Sequence, residues 1–370
     1  MIRPVPYVDL PGIIFALDRR ARAHRGEFAT FMVAPEAQES RSPIAAFLHA
    51  TRIITPHAYT WICEDRWRLL GVAQAVPRPG GRAWDLACLA ALTPPPDQPA
   101  NSTPADILFA LAQYALNTAI QRGVHRFFVR VEDDRPENEI FSKLGFQRYA
   151  RELTYVLPNA ACGLTRSANE REDGRVEIHV RPWNRHDAWG LLQLYDALTP
   201  HRVRIAESLT NDELLHTRAG GGRTWHLPLL EPPSDAYVYD KGVRLGGWLR
   251  LRHGRGSQPH QLCLMAHPDD PESAPALVRF GLRLLAGEAD RPVVCAIREY
   301  EGAAIDALRA AGFEHADTHA LLVRHLTMQA LRKREVAVLE PRVVYGVKGL
   351  GQIPSRLSEG ETTHYATRHH

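Results

Sequence analysis

Residues 137–157 read "ENEIFSKLGFQRYARELTYVL" and residues 303–323 read "AAIDALRAAGFEHADTHALLV", and the two stretches end alike. Each is an amphipathic run, then Gly-Phe, then an alternating stretch of the kind that forms a strand. Gly145-Phe146 and Gly312-Phe313 stand at an offset of 167 (145 to 312). Three further matches precede them in the same order. Arg3-Pro4, Asp9 and Gly12 meet Arg181-Pro182, Asp187 and Gly190 at an offset of 178 (3 to 181). Cys88 in "WDLACLAAL" meets Cys263 in "HQLCLMAHP" at 175 (88 to 263). Ser102, Pro104 and Ala105 meet Ser273, Pro275 and Ala276 at 171 (102 to 273). The offset falls steadily, as it does when only loops gain or lose residues. The chain therefore reads as two copies of one domain.

Each copy predicts the same series of elements. An extended segment leads into an amphipathic helix (Pro11–Arg22; Ala188–Leu198), and three strands follow. Next comes a helix with Pro in its first turn (Ala105–Arg122; Ala276–Gly287), where the missing N–H does least harm. A β-rich strand ("RFFVRVED"; "PVVCAIRE"), a short helix and a last strand close the unit. This is an α/β (α+β) chain with two tandem domains, each a mixed, mostly antiparallel central sheet flanked by helices. The expected domains are residues 1–157 and 175–326. A polar linker spans 158–174, and a C-terminal extension, 327–370, is expected to be partly disordered. At 370 residues the chain is long enough to bury two cores.

Charge and cysteine content exclude several classes. The 45 Lys+Arg are interleaved with 42 Asp+Glu, for a net charge of +3, so no basic stripe marks a nucleic-acid surface. The five cysteines are scattered and never spaced C-x-x-C, which argues against a disulfide framework or a zinc site, and no metal is expected. The longest apolar runs, such as "LACLAAL", fall far short of the roughly 20 residues of a membrane span. The start "MIRPVPYVDLPG" has no apolar signal core, so a cytoplasmic protein is expected.

The element order, the Arg-Pro-plus-Asp start of each copy, His267-Pro268-Asp269 and the "FSKLGF" of Phe141–Phe146 together resemble the GCN5-related N-acetyltransferase (GNAT) superfamily. The likeness covers about residues 1–157 and 175–326, in a tandem arrangement. It implies an acyltransferase that moves acetyl from acetyl-CoA, as co-substrate, to the amine of a small-molecule or peptide acceptor. In that family the pantetheine hydrogen-bonds to the fourth strand where two strands splay apart, here at Leu89 and Ala91. The pyrophosphate sits on the next helix N-terminus, where free N–H groups favour an anion. In the first copy that loop is Asn101, Ser102, Thr103, Pro104 and Ala105; in the second it is Pro271 to Ala276.

The sequence departs from the family at each of these points. Neither loop has the leading Arg/Gln or the first Gly, and both carry a Pro. The second copy adds Asp270 and Glu272, so the first is the expected CoA side. Asp85 stands where the family often has a base, with an outward strand residue as the plain alternative; His260 holds the like place in the second copy. The family's Tyr acid is replaced by Phe141 and Leu308, and its Asn by Asp134 and Glu301. Tyr300 stands beside the latter, and packing at a strand end is its commoner role. Cys88 and Cys263 fit core packing. The glycine-rich "HTRAGGGRTW" (His216–Trp225) and Arg202 and Arg204 occupy the region where such proteins shape the acceptor site. The degenerate loops and missing acids equally suit an inactive GNAT-fold protein that binds a ligand or partner. The acceptor stays open, as does the choice between monomer and homodimer.

Overall fold

The computed structural model describes residues 1–5, 29–32, 58–91, 103–159, 179–209 and 234–326, with short breaks at 66–67, 79, 136–137, 255–258, 287 and 289–290. Met1–Met328 form one compact unit; Gln329–His370, the second, lie outside the described residues. So do the predicted first helix, most of the linker and the His216–Trp225 stretch.

The first half supplies β1 (Ile2–Pro4), β2 (Ala29–Met32), β3 (Tyr59–Asp65), β4 (Arg68–Pro77), β5 (Ala83–Ala91), α1 (Pro104–Gln121), β6 (Arg126–Glu132), α2 (Asn138–Lys143) and β7 (Gln147–Leu157). The second supplies β8 (Val180–Pro182), α3 (Ala188–Leu198), α4 (His201–Glu207), β9 (Ser234–Asp240), β10 (Leu245–Arg252), β11 (His260–Ala266), α5 (Ser273–Leu285), β12 (Val293–Arg298), α6 (Gly302–Ala310) and β13 (Glu314–His325). All thirteen described strands join one sheet, in the order β1-β3-β4-β5-β6-β13-β7-β12-β11-β10-β9-β8, with β2 on β5.

The shared Gly-Phe ending stops a helix. Gly145 and Gly312 take left-handed φ values of 78° and 90°, which glycine tolerates without a Cβ clash. The amide of Phe146 then donates to the carbonyl of Phe141, that of Gly145 to Ser142, and the Phe146 ring packs edge-on against Phe141 at 5.6 Å. In the second half the Phe313 amide donates to Leu308. This is a Schellman stop with its hydrophobic contact, and it aims the following strand back into the sheet.

Those last strands are exchanged. β13 lies between β6 and β7, both of the first half, while β7 lies between β13 and β12, both of the second. The antiparallel β7–β13 register sets Glu152 opposite His319, and these two residues are related by the same offset of 167 (152 to 319) as the Gly-Phe pairs. An approximate two-fold axis therefore passes between them, and the repeat read in the sequence becomes a symmetry of the sheet.

The Arg-Pro start of each copy proves to be a fastening. Arg181 grips Asp187 with two hydrogen bonds of 2.7 and 2.8 Å and reaches Asp240 at 2.9 Å, tying β8 to the start of α3 and to β9. Arg3 reaches Glu64 in the same way at 2.8 and 3.3 Å.

One face of the sheet carries α1 and α5 over two apolar cores, one built on Leu86, Leu111, Phe127 and Phe141, the other on Leu249, Leu262, Leu277 and Cys295. α3 and α4 cover the opposite face. Gly71 and Gly247 let α1 and α5 come close: a Cβ on Gly71 would meet the Ala90 carbonyl at 2.7 Å, and one on Gly247 the Leu277 side chain at 2.5 Å. No helix among the described residues is long and apolar enough to cross a membrane.

A chain of buried charges runs under α4 through the two-fold axis. Arg130 Nε donates to Glu152 at 2.7 Å, Arg298 stands 3.6 Å from the other Glu152 oxygen, and Arg130 Nη2 meets His319 Nδ1 at 3.1 Å. Burial resists ionisation of Glu152, but Arg130 and Arg298 outweigh it and hold its pKa at about 2. Burial, then Arg130, lowers that of His319, so it is neutral at pH 7 and accepts from the guanidinium.

Two expectations follow. Because the unfolded carboxyl titrates near ~4.3, Glu152 contributes stability above that pH and loses it as pH falls towards 2. Urea midpoints measured from pH 6 to 3 should fall, and Glu152→Gln should flatten part of that slope while costing about 3 kcal/mol at pH 7. Gly247→Ala should cost roughly 1–3 kcal/mol by overpacking, read from the same denaturation curves.

Candidate functional site

In each half two neighbouring strands run parallel and then part. β5 and β6 pair only from Ala83–Arg126 to Asp85–Phe128, and β11 and β12 only from His260–Val293 to Leu262–Cys295. Beyond those points the two strands of each pair no longer bond to each other, and the sheet opens a gap in each half.

The two gaps differ. In the first half β2 lies antiparallel along β5, with Ala29 opposite Ala91, Phe31 opposite Leu89 and Met32 opposite Cys88. β4 holds the other edge of the same residues. The backbone at Leu89 and Ala91, the expected pantetheine partner, is thus already paired on both sides by the chain itself. In the second half β10 pairs with Cys263–Ala266 on one side, and no strand among the described residues lies on the other.

The helix N-termini are likewise self-occupied. Thr103 caps α1: its hydroxyl accepts from the Asp106 amide at 3.2 Å, while the Asp106 carboxylate accepts from the Thr103 amide at 3.1 Å and hydroxyl at 2.7 Å. Those hydrogen bonds lower the Asp106 pKa, so a carboxylate stands where the pyrophosphate was expected. Ala105 is in the exposed first turn of α1, and Asn101 and Ser102 lie outside the described residues. At α5, Asp270 is bound by Lys241 at 2.5 Å and by the Ser273 hydroxyl.

Of the remaining expected site residues, Asp85 lies where β5 and β6 part. Asp85 makes a bidentate pair with Arg78 at 2.7 and 2.8 Å, and that guanidinium lies 3.7 Å from the centre of the Phe128 ring. Phe141 is fully buried in the α1-side core, and Asp134 is an exposed turn residue. Arg202 is exposed and Arg204 pairs with Asp196 at 3.2 Å. Cys88 is buried, which pushes its thiol up to about 12 and suits packing. His260 sits at the closed end of β11, away from the gap.

What the open gap of the second half offers is Arg250. It faces the α3 side, directly across from Cys263, the first residue past the parting point. The residue is 8 % exposed, its Nη2 stands 3.9 Å from the half-buried Cys263 sulfur, and its Nε and Nη1 have no hydrogen-bond partner among the described residues. The indole N–H of Trp248, two residues earlier on the same face, is also buried without a partner among the described residues. Leaving a buried cation unpaired is costly, so these donors call for an anionic group. In the first half the position opposite Cys88 is Gln74, a neutral amide that donates to Thr60 at 2.9 Å. Deeper on the α3 side, the Tyr195 hydroxyl donates to buried Glu207 at 2.8 Å, and Arg298 stands 3.4 Å from that carboxylate. Arg250 is one of two arginines inside "GGWLRLRH", and no spacing in that stretch signals its role.

No protein-family model matches the chain, and no curated protein matches it by sequence. Solved structures do. A tandem GNAT protein from the clavulanic acid biosynthesis pathway superposes with a TM-score of 0.54 at 15 % identity, covering 88 % of this chain and 98 % of that one. A GCN5-related N-acetyltransferase from Sphaerobacter thermophilus gives 0.52 at 12 % identity, over 88 % and 95 %.

Thr103→Ala should lower the melting temperature by roughly 2–3 °C, the effect of one lost helix cap in a chain of this size, as scanning calorimetry would record.

Proposed function

We propose that this chain, which has the tandem GNAT fold, is an acyl-CoA-dependent acyltransferase that works in its second half, with acetyl-CoA as donor and an amine that also bears an anionic group as acceptor. The observation that carries the reading is the edge of β11 beside Arg250, on which no strand lies among the described residues, set against the filled edge of β5. An extended pantetheine adds to the free edge as a strand would, bringing the thioester to the parting point near Cys263. The acceptor approaches from the α3 side, its carboxylate or phosphate on Arg250 and the Trp248 N–H. Its free amine attacks the thioester carbonyl; the C–N bond forms, the C–S bond breaks, the ammonium proton is lost and the thiolate takes one up. Holding both partners in line supplies much of the rate.

A second reading, a non-catalytic ligand-binding protein, is favoured by one feature: both helix N-termini are closed by the chain's own carboxylates, Asp106 and Asp270. Calorimetric titration with acetyl-CoA separates the two. The first reading expects one site per chain. Ala296→Leu, which narrows the gap from β12, should abolish that binding, while Thr103→Asp in the first half should leave it unchanged. With thiol release as the assay across a panel of amines, Arg250→Gln should cut kcat/KM at least tenfold for carboxylate- or phosphate-bearing acceptors alone. No heat up to millimolar acetyl-CoA would leave the second reading.

A further inference from the structure

We propose that His253, His260 and Glu288 form a binding site for a divalent transition-metal ion of the zinc class, on the α5 side of the second half and at the opposite end of β11 from the acyl groove. His253 lies just past β10 and His260 opens β11, so the two face each other across the neck of one hairpin. Glu288 comes three residues after α5. Their candidate ligand atoms all lie within 4.8 Å of one another. His253 Nδ1 contacts Glu288 Oε1, His260 Nδ1 stands 3.6 Å from Glu288 Oε2, and the two rings are 6.2 Å apart and nearly perpendicular, at 87°.

Three features point to a cation rather than to a plain hydrogen-bonded cluster. The Gly254 amide donates to His260 Nδ1 at 3.2 Å, so that nitrogen carries no proton to share with Glu288. An unprotonated imidazole nitrogen and a carboxylate oxygen thus stand 3.6 Å apart at the 1 % exposed His260, an arrangement that a positive ion stabilises when it takes the nitrogen's lone pair in place of the Gly254 amide. The other nitrogen of His253 lies 3.3 Å from Asp235 Oδ2, the outer carboxylate that commonly fixes the tautomer and orientation of a metal-bound histidine. Two imidazole nitrogens and one carboxylate oxygen suit zinc and its neighbours better than calcium or magnesium, and solvent completes the shell on the exposed Glu288 side. Such an ion would clamp the hairpin neck to the end of α5. At about 3.3 Å per residue it lies roughly 20 Å from Ala266, so the proposal stands or falls independently of acyl transfer.

The test is titration of chelator-treated full-length protein with zinc chloride by calorimetry, with cobalt substitution read through its visible ligand-field bands. One ion per chain and a rise in melting temperature are expected. Glu288→Gln and His253→Ala, both at partly exposed side chains, should each weaken binding by at least about tenfold, and Asp235→Asn by a similar or smaller factor. His369→Ala with His370→Ala should leave it intact. The proposal is overturned by the absence of binding, by binding that survives both Glu288→Gln and His253→Ala, or by binding lost with the two terminal histidines.

Discussion

The pairing of β7 with β13 about Glu152 and His319 is the constraint on which the rest of the structure depends. Each half completes its sheet with the other half's last strand, so neither closes its core alone. Tyr155 and Leu157, from the first half, sit in the core of the second; Ala320 and Leu322, from the second, sit in the core of the first. Ionic groups occupy the opposite side of the same strands. They can be buried there because Glu152 meets two arginines and α4 shields the row, with Arg126 reaching the carbonyls at the end of that helix.

Symmetry in the middle of the sheet gives way to difference at its ends. Both halves have parallel pairs only three residues long, both have a glycine that lets a helix press on the sheet, and both have a cysteine just past the parting point. In the first half the gap receives β2, and a neutral glutamine lies opposite the cysteine. In the second no strand among the described residues covers that edge, and an arginine takes the glutamine's place. A duplicated scaffold can specialise in this way at small energetic cost, because the changes fall at a strand edge and not in the cores. The histidines of the β10–β11 hairpin add a third difference, at the opposite end of the same strand.

Much of this architecture was legible in the chain itself. The helix Ala188–Leu198 has the bounds its periodicity predicts, and α1 and α5 begin and end within three residues of theirs, while α4 falls in a stretch read only as a charged run. The Gly-Phe endings and the proline of α1 are local devices, each read from a few neighbouring residues and given a local purpose by the structure, whereas the Arg-Pro starts reach across strands to Glu64 and Asp240. Phe141 shows where family likeness misleads: it stands at the position of an expected acid, yet the helix stop beside it needs an apolar ring there. Asp85 is similar, since its partner Arg78 is seven residues away on the adjoining strand and no spacing rule pairs them.

By itself the sequence determined that there are two copies, which elements each contains and in what order, because caps, turns and periodicity are set by residues close along the chain. Only the tertiary structure decided that the last strands change places, that β2 fills one gap and leaves the other open, and that Arg250 and the His253–His260–Glu288 group come to lie where they do. Those outcomes depend on contacts between residues tens to hundreds of positions apart. Strand order and burial choose such contacts, and neither is written in any short stretch of sequence.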